Sequence, residues 1–244
     1  MKKFIKIMLC CFMFVCLFAC GSKEEVIDNK QVVIDALKKT NTLEFMDLDM
    51  DISMKFIGTS VDILVNSKLI TKEGIPTAMS TTTSFMEQDI LMSYVDGYIY
   101  MDAEGMKLKG AATVEQYMEY GDMDFSLDEN MVLEVVKLED GSYNVELNSE
   151  TANDFPGFVE GSLGEIDSSE IKDITYNVKI NDNGYVSDFK IVMDLSASVE
   201  GTSYDINTAI DCKYNNIGQA FEIAAPSDAD SYEEVDFNQF MNAQ

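Results

Sequence analysis

Apolar and polar residues alternate along most of the chain from residue 43 onwards. The first such stretch sets carboxylates between apolar side chains, in the order Asp47, Leu48, Asp49, Met50, Asp51 and Ile52. Successive side chains of a β-strand point to opposite faces of a sheet. The stretch therefore predicts a strand with one acidic face and one apolar face.

Several more alternating stretches follow, separated by turn residues. Asp96-Gly97 and Asp140-Gly141 each lie between two such stretches. Asp-Gly pairs in this position are typical of two-residue β-hairpins. The last third of the chain predicts a three-strand meander and then a final short strand, over residues 174–180, 186–199, 204–214 and 221–224.

A few segments carry helix signals instead. Asp28 is placed to cap a first helix, and Asn41 to end it. The apolar face of this helix is Val33, Ala36 and Leu37. Three pairs with capping-box spacing predict short helices further along: Thr113 with Gln116, Ser126 with Glu129, and Ser231 with Glu234. Residues 149–170 have modest patterning, and we interpret them as loop and short helix.

Together these elements predict an α+β fold in which roughly ten antiparallel strands form one large sheet with a few short helices. An open sheet of this size usually curls, and so few helices leave apolar sheet surface to cover. We therefore expect a concave apolar cavity under a partial helical lid. Its predicted lining is Met50, Ile52, Ile63, Val65, Met193, Leu195, Ile206 and Ile210.

The first residues have the pattern of an export signal. Lys2, Lys3 and Lys6 precede an uncharged apolar run that ends Leu17-Phe18-Ala19-Cys20. The run is too short to span a membrane comfortably. A small residue before a cysteine, with leucine two positions earlier, resembles the lipobox of bacterial lipoproteins. That resemblance implies cleavage between Ala19 and Cys20, and a diacylglyceryl (palmitate-type) anchor on Cys20. We thus expect a signal peptide at 1–19 and a lipidated tether at 20–25.

Composition narrows the chemistry. The formal charge is −27, from 44 acidic and 17 basic residues, and losing the signal lysines would make it more negative. Such a charge disfavours nucleic acid and anionic headgroups as partners. Without histidine, Ser-His-Asp and Cys-His catalysis and His-ligated zinc are excluded. Cys212 is the one cysteine left after signal removal and lipidation, so we expect it to be a buried core residue without a disulfide.

Two further features leave alternatives open. The 16 methionines suit a cavity for variable apolar ligands, but they suit an ordinary core as well. The row Asp47, Asp49, Asp51 offers carboxylates that are about 6.6 Å apart, too far for tight calcium chelation and typical of a solvated face. We predict no metal, no cofactor and no catalytic residue, and hence a protein that is not an enzyme.

The lipobox, the capped helix ending Ala36-Leu37-Lys38-Lys39-Thr40 and the closing meander with Gly184-Tyr185-Val186 resemble uncharacterised lipoproteins of low-GC Gram-positive bacteria. That group is similar in layout to the LolA-like and mycobacterial LppX/LprG-like lipoprotein superfamily. The resemblance implies one half-barrel domain over residues 26–244, with a helical lid and an apolar cavity for acyl chains. The absence of Arg and Trp departs from the LolA pattern.

Two functions follow as hypotheses. The first is a lipoprotein on the extracytoplasmic face of the cell membrane that binds or carries an apolar ligand, such as a lipid, in the cavity. The second is a ligand-free interaction or sensor module of the envelope, which contacts a protein partner through its acidic face or through residues 149–170.

Overall fold

The structure is a computed structural model, and it describes residues 28–56, 58–121, 127, 129–148, 168–199 and 202–237. The signal peptide, Ala19, Cys20 and the tether lie outside the described residues. The helix predicted from Ser126 and most of the segment 149–170 do so as well.

Twelve strands form a single sheet. They are β1 Phe45–Phe56, β2 Thr59–Lys72, β3 Ile75–Phe85, β4 Gln88–Val95, β5 Tyr98–Ala103, β6 Met106–Ala111, β7 Val132–Lys137, β8 Tyr143–Leu147, β9 Ser168–Ile180, β10 Val186–Val199, β11 Thr202–Asn215 and β12 Glu233–Glu234.

The strands lie in the order β12, β6, β5, β4, β3, β2, β1, β11, β10, β9, β8, β7. All neighbours are antiparallel except β12, which runs parallel to β6. Strands β1 to β6 thus form one meander, and β7 to β11 form a second. The two meanders join where β11 pairs with β1, and Met50 lies opposite Cys212 in this pairing. The result is a large, open, curled antiparallel sheet, so the predicted half-barrel of the α+β class is confirmed, with two strands more than expected.

Two α-helices accompany the sheet in the described residues, α1 at Asn29–Thr40 and α2 at Val114–Gly121, together with a 3-10 helix at Ala229–Ser231. The Asp28 side chain accepts hydrogen bonds from the backbone N–H groups of Lys30 and Gln31, as predicted for an N-cap. At α2 the predicted capping box is present, because Gln116 accepts from the Thr113 N–H and Thr113 accepts from the Gln116 N–H. Local sequence alone therefore fixes where both helices begin.

The two faces of the sheet differ in charge, although apolar residues such as Leu64 and Leu91 also lie on the charged face. The face on which α1 packs, here called the inner face, carries the apolar positions of every strand from β1 to β6 and from β9 to β11. Its buried side chains form three clusters: one under α1, one around Tyr117 of α2, and a small one of Leu195, Ala197 and Ile206. The opposite face, here called the polar face, carries the aspartates and lysines.

The chain after β11 corrects two predictions. Residues 216–237, here called the C-terminal strap, cross the polar face and turn round the edge of the sheet at β6. The predicted strand at 221–224 is absent, because this segment pairs with no other strand. The Phe221 ring instead packs edge-on against the Phe45 ring of β1, with the two ring centroids 5.5 Å apart. The helix predicted from Ser231 is also wrong at its start, because Glu233–Glu234 pairs with β6 as β12.

Candidate functional site

The structure places all eight predicted cavity residues on the inner face. Five of them, Met50, Ile52, Val65, Met193 and Ile210, belong to the cluster under α1, and Ile63 packs against it. Leu195 and Ile206 lie in the small cluster. Seven of the eight are buried, with Met50 the most exposed of these at 5%, and Ile63 is half-buried. The eight residues thus share one face, while their role as a ligand lining stays a prediction.

Helix α1 closes its part of the inner face firmly. It packs on β7, β9 and β10 through Val33, Ile34 and Leu37, all buried. The buried Thr40 fixes its end, since the Oγ1 donates to the Ala36 carbonyl at 2.7 Å and accepts from the Val186 N–H at 2.9 Å. The Thr40 hydroxyl thus links the end of α1 to the start of β10.

The other end of the inner face is open. Across β3 to β6, Thr83 pairs with Ile90, Ile90 with Ala103, and Ala103 with Met106. Ile90 is 43% exposed and Met106 is 48% exposed. We call this region the open face; it comprises Ile63, Thr83, Phe85, Ile90, Met92, Met101, Ala103 and Met106, all half-buried or exposed. The small Ala103 lies between the larger Ile90 and Met106 in this row across the strands.

A boundary of partly buried side chains separates the open face from α2. The Tyr117 side chain of α2 is buried against Met79, Ile99 and Leu108. Its hydroxyl donates to Thr81 Oγ1 and to the Met92 carbonyl, both at 3.4 Å. Burial raises the pKa of the Tyr117 hydroxyl above its ordinary value, and the hydrogen bond with Thr81 opposes that shift. The phenol is therefore neutral and can serve as a hydrogen-bonding group at the edge of the open face.

The predicted lining and the more exposed part of the inner face do not coincide, because seven of the eight predicted residues are buried. The alternation of Ile90, Met92, Met101 and Met106 was visible, but it does not reveal which apolar strand positions a helix covers. Gly110 within β6 was a usable signal, because a glycine inside a strand often marks a close approach of other chain segments. A Cβ at Gly110 would overlap the Val235 carbonyl oxygen, where the C-terminal strap reaches the inner face.

The polar face has grooves of its own. The first, of about 560 Å³, is lined by both charge signs and by the β7–β8 turn, with Asp49, Asp51, Asp140, Asp188, Asp211, Lys179, Lys190 and Lys213 among its residues. Many of these carboxylates are already engaged, as Asp49 accepts from the side-chain amides of Asn66 at 2.6 Å and Asn215 at 2.7 Å. In the part of the chain that the structure describes, no group of three acidic, Cys or His side chains could hold a metal ion.

Cys212 is buried on the inner face, as predicted. Burial raises the pKa of its thiol to about 12, and the nearby charges of Asp188 and Asp49 act in the same direction. The thiolate is therefore scarce at neutral pH, so Cys212 is a core residue and not a nucleophile.

No helix among the described residues combines the length and the apolar character needed to cross a membrane.

Comparisons with known proteins give distant structural neighbours. No known protein family and no curated protein matches the sequence. Among solved structures, LprF from Mycobacterium bovis has 12% identity and a TM-score of 0.42, over 81% of this chain and 96% of that one. The lipoprotein LppX of Mycobacterium tuberculosis has 9% identity and a TM-score of 0.45, over 80% and 97%. These likenesses concern layout, so no residue role or ligand is carried over from them.

Proposed function

We propose that this protein is a lipoprotein of the extracytoplasmic membrane face that binds an apolar ligand, such as a lipid acyl chain, on its open face. The observation that carries this proposal is a continuous uncharged sheet surface on which Ile90 and Met106 are nearly half exposed. Contiguous exposed apolar surface of this kind marks binding sites in soluble domains. The protein acts as a binder or carrier, and no catalytic step is assigned to it.

Burial of apolar area supplies the driving force. Covering apolar surface contributes about 25 cal/mol per Å², and an acyl chain lying across β3 to β6 would cover Ile90, Ala103 and Met106. The open face also holds Met92 and Met101, whose unbranched thioethers adapt to ligands of different shape. Ile63 links this surface to the predicted eight-residue lining, so a long ligand would extend towards α1.

The tether supports the same function. Two or more acyl chains on Cys20 would hold the protein stably at the membrane, since each buried CH₂ contributes about 0.8 kcal/mol. The strong excess of acidic over basic residues would keep the folded domain, residues 26–244, off an anionic lipid surface. The domain would thus stay within reach of lipids without lying on them. Replacing Cys20 by Ala should abolish incorporation of labelled palmitate.

The ligand is tested by native mass spectrometry. Residues 20–244 with Cys20→Ser would be exported and purified without detergent, and the bound species would be identified after solvent extraction. We expect a ligand of lipid mass that is lost in Ile90→Asp and Met106→Asp. It should be retained in Leu133→Asp, a control whose side chain is 57% exposed on β7. An empty wild-type protein that is fully folded would contradict the proposal.

The second candidate function is an interaction module. The observation in its favour is the groove of about 560 Å³ on the polar face, where lysines and aspartates alternate beside the β7–β8 turn. Such a mixed-charge surface suits a charged protein partner. Cross-linking on intact cells, with Lys190→Glu as the matched variant, should then recover one specific partner whose capture depends on this groove.

A further inference from the structure

In the strands around the open face, all charged side chains lie on the polar face of the sheet. In strands β2 to β6, every residue of which the structure describes, no inner-face position holds a charged side chain. The charged residues of these strands all lie on the polar face: Asp62, Lys68, Lys72, Asp89, Asp102, Lys107 and Lys109. An ionised group on the open face would therefore lose hydration without gaining a counter-ion.

The rim of the open face carries negative charge, which disfavours anionic ligands in particular. The turns β3–β4 and β5–β6 lie at its end, and their charged residues are Glu87 and Glu104, both exposed. Both residues have positive φ, at 67° and 50°, so the turns have a defined shape. Gln88 donates a side-chain hydrogen bond to the Glu104 carboxylate and ties the two turns together. Two carboxylates at the rim repel an anionic headgroup.

Neutral hydrogen-bonding groups lie at the other border. Ser67, Thr81 and Thr83 occupy inner-face positions of β2 and β3, and all three are half-buried. The Ser67 and Thr81 hydroxyls are 3.2 Å apart, and Tyr117 reaches Thr81 at 3.4 Å. These separations are long for O–H···O bonds, whose usual distance is about 2.7 to 2.8 Å. The hydroxyls can therefore exchange such weak partners for an ester or hydroxyl oxygen of a ligand.

From these three observations we infer that the open face selects an uncharged amphiphile, with its acyl chain over Ile90, Ala103 and Met106 and its hydroxyl or ester head against Thr83. This inference rests on the proposed function and adds the ligand class. A fatty-acid carboxylate is disfavoured by missing cations and by Glu87 and Glu104. An alkylammonium head finds carboxylates only at the rim, away from the hydroxyls.

The test compares three ligands of equal chain length: a monoacylglycerol, a fatty acid and a primary alkylamine. Binding to residues 20–244 with Cys20→Ser is measured by calorimetry at neutral pH, below the micelle concentration of each ligand. We expect the monoacylglycerol to bind about tenfold or more tightly than the fatty acid, because an uncompensated carboxylate is costly to bury. It should also bind more tightly than the alkylamine, whose head can pair with the rim carboxylates only by leaving the hydroxyls. Glu87→Lys combined with Glu104→Lys should improve fatty-acid binding and leave the monoacylglycerol nearly unchanged.

A matched pair of variants tests the head position. Thr83→Val removes one inner-face hydroxyl and should weaken monoacylglycerol binding roughly threefold to tenfold, the usual worth of one hydrogen bond. Thr82→Val changes the same strand on the polar face and should have no effect. Equal binding of fatty acid and monoacylglycerol would overturn the selectivity and leave the proposed function standing. If no ligand binds the folded protein, or if Ile90→Asp changes only its oligomeric state, both proposals fail.

Discussion

Gly110 and Phe237 share one space on the inner face: a Cβ added to Gly110 would lie 2.7 Å from Cδ2 of the Phe237 ring. Phe237 is 4% exposed and joins the cluster around Tyr117. The missing side chain in β6 is therefore what lets the C-terminal strap finish on the inner face. The strap also covers the β6 edge, where unpaired backbone groups would otherwise template pairing with another chain.

Filling this space should destabilise the protein. Gly110→Val forces the strap end away and should lower the free energy of unfolding by about 1 to 3 kcal/mol, the usual cost of overpacking. Urea denaturation measures the change. Ala111→Val, at the exposed neighbouring position, is the control and should change stability little. Phe237→Ala should relieve only part of the cost of Gly110→Val, because the Val235 carbonyl oxygen would still lie 2.4 Å from the added Cβ. Equal costs in both backgrounds would contradict a contribution of the Phe237 ring.

The Thr40 hydroxyl should be needed for the attachment of α1. Thr40→Val keeps the shape but leaves the buried Val186 N–H without an acceptor, which costs about 1 to 3 kcal/mol. Thr40→Ser keeps the oxygen and should lose clearly less stability. The comparison is made by urea denaturation, and equal losses in the two variants would mean that the methyl group and not the hydrogen bond matters.

The contact between Lys107 and Asp228 should make the strap sensitive to acid. The hydrogen bond from Lys107 lowers the pKa of the Asp228 carboxyl, whose unfolded value is about 3.9. A depressed folded pKa means that the contact stabilises the protein fully above the unfolded pKa, and that this contribution is lost as pH falls through the folded pKa. Carboxyl carbon NMR should show the Asp228 midpoint rising in Lys107→Met. An unchanged midpoint would show that the ion pair does not form in solution.

Cys212 should resist alkylation in the folded state. With its thiol pKa raised to about 12, its thiolate fraction at pH 8 is about a thousandfold below that of an ordinary cysteine. Mass spectrometry of the peptide containing Cys212 after iodoacetamide treatment measures the rate. A cysteine placed at the exposed Ser203 position, by Ser203→Cys, should react readily in the same sample. Rapid native labelling of Cys212 would contradict its burial.

The parts of the fold that could be predicted from sequence are those governed by local rules. Strand alternation placed Met50 and Ile210 on the inner face, and cap chemistry placed the starts of both helices. The path of the strap could not be read in this way. Phe221 and Ile223 alternate like strand residues, yet they form no strand. The Phe221 ring packs against the Phe45 ring, which is a contact between distant parts of the sequence.

The candidate site, too, could be predicted only in part from the sequence. The apolar face and its methionines were predictable, since a period of two determines the face of each strand residue. Which part of that face remains open depends on where α1 and α2 pack, and no local pattern encodes it. Met50 and Met193 were therefore expected to line a cavity and are packed in the core, while the exposed Met106 was passed over.

The most direct test of the account is methyl NMR of the methionines during titration with a monoacylglycerol. Met92, Met101 and Met106 report on the open face, whereas Met50 and Met193 report on the core under α1. If the ligand binds where we propose, the first three methyl signals will shift and the last two will stay in place. Shifts at Met50 and Met193 without a shift at Met106 would instead put the ligand beneath α1 and contradict the account.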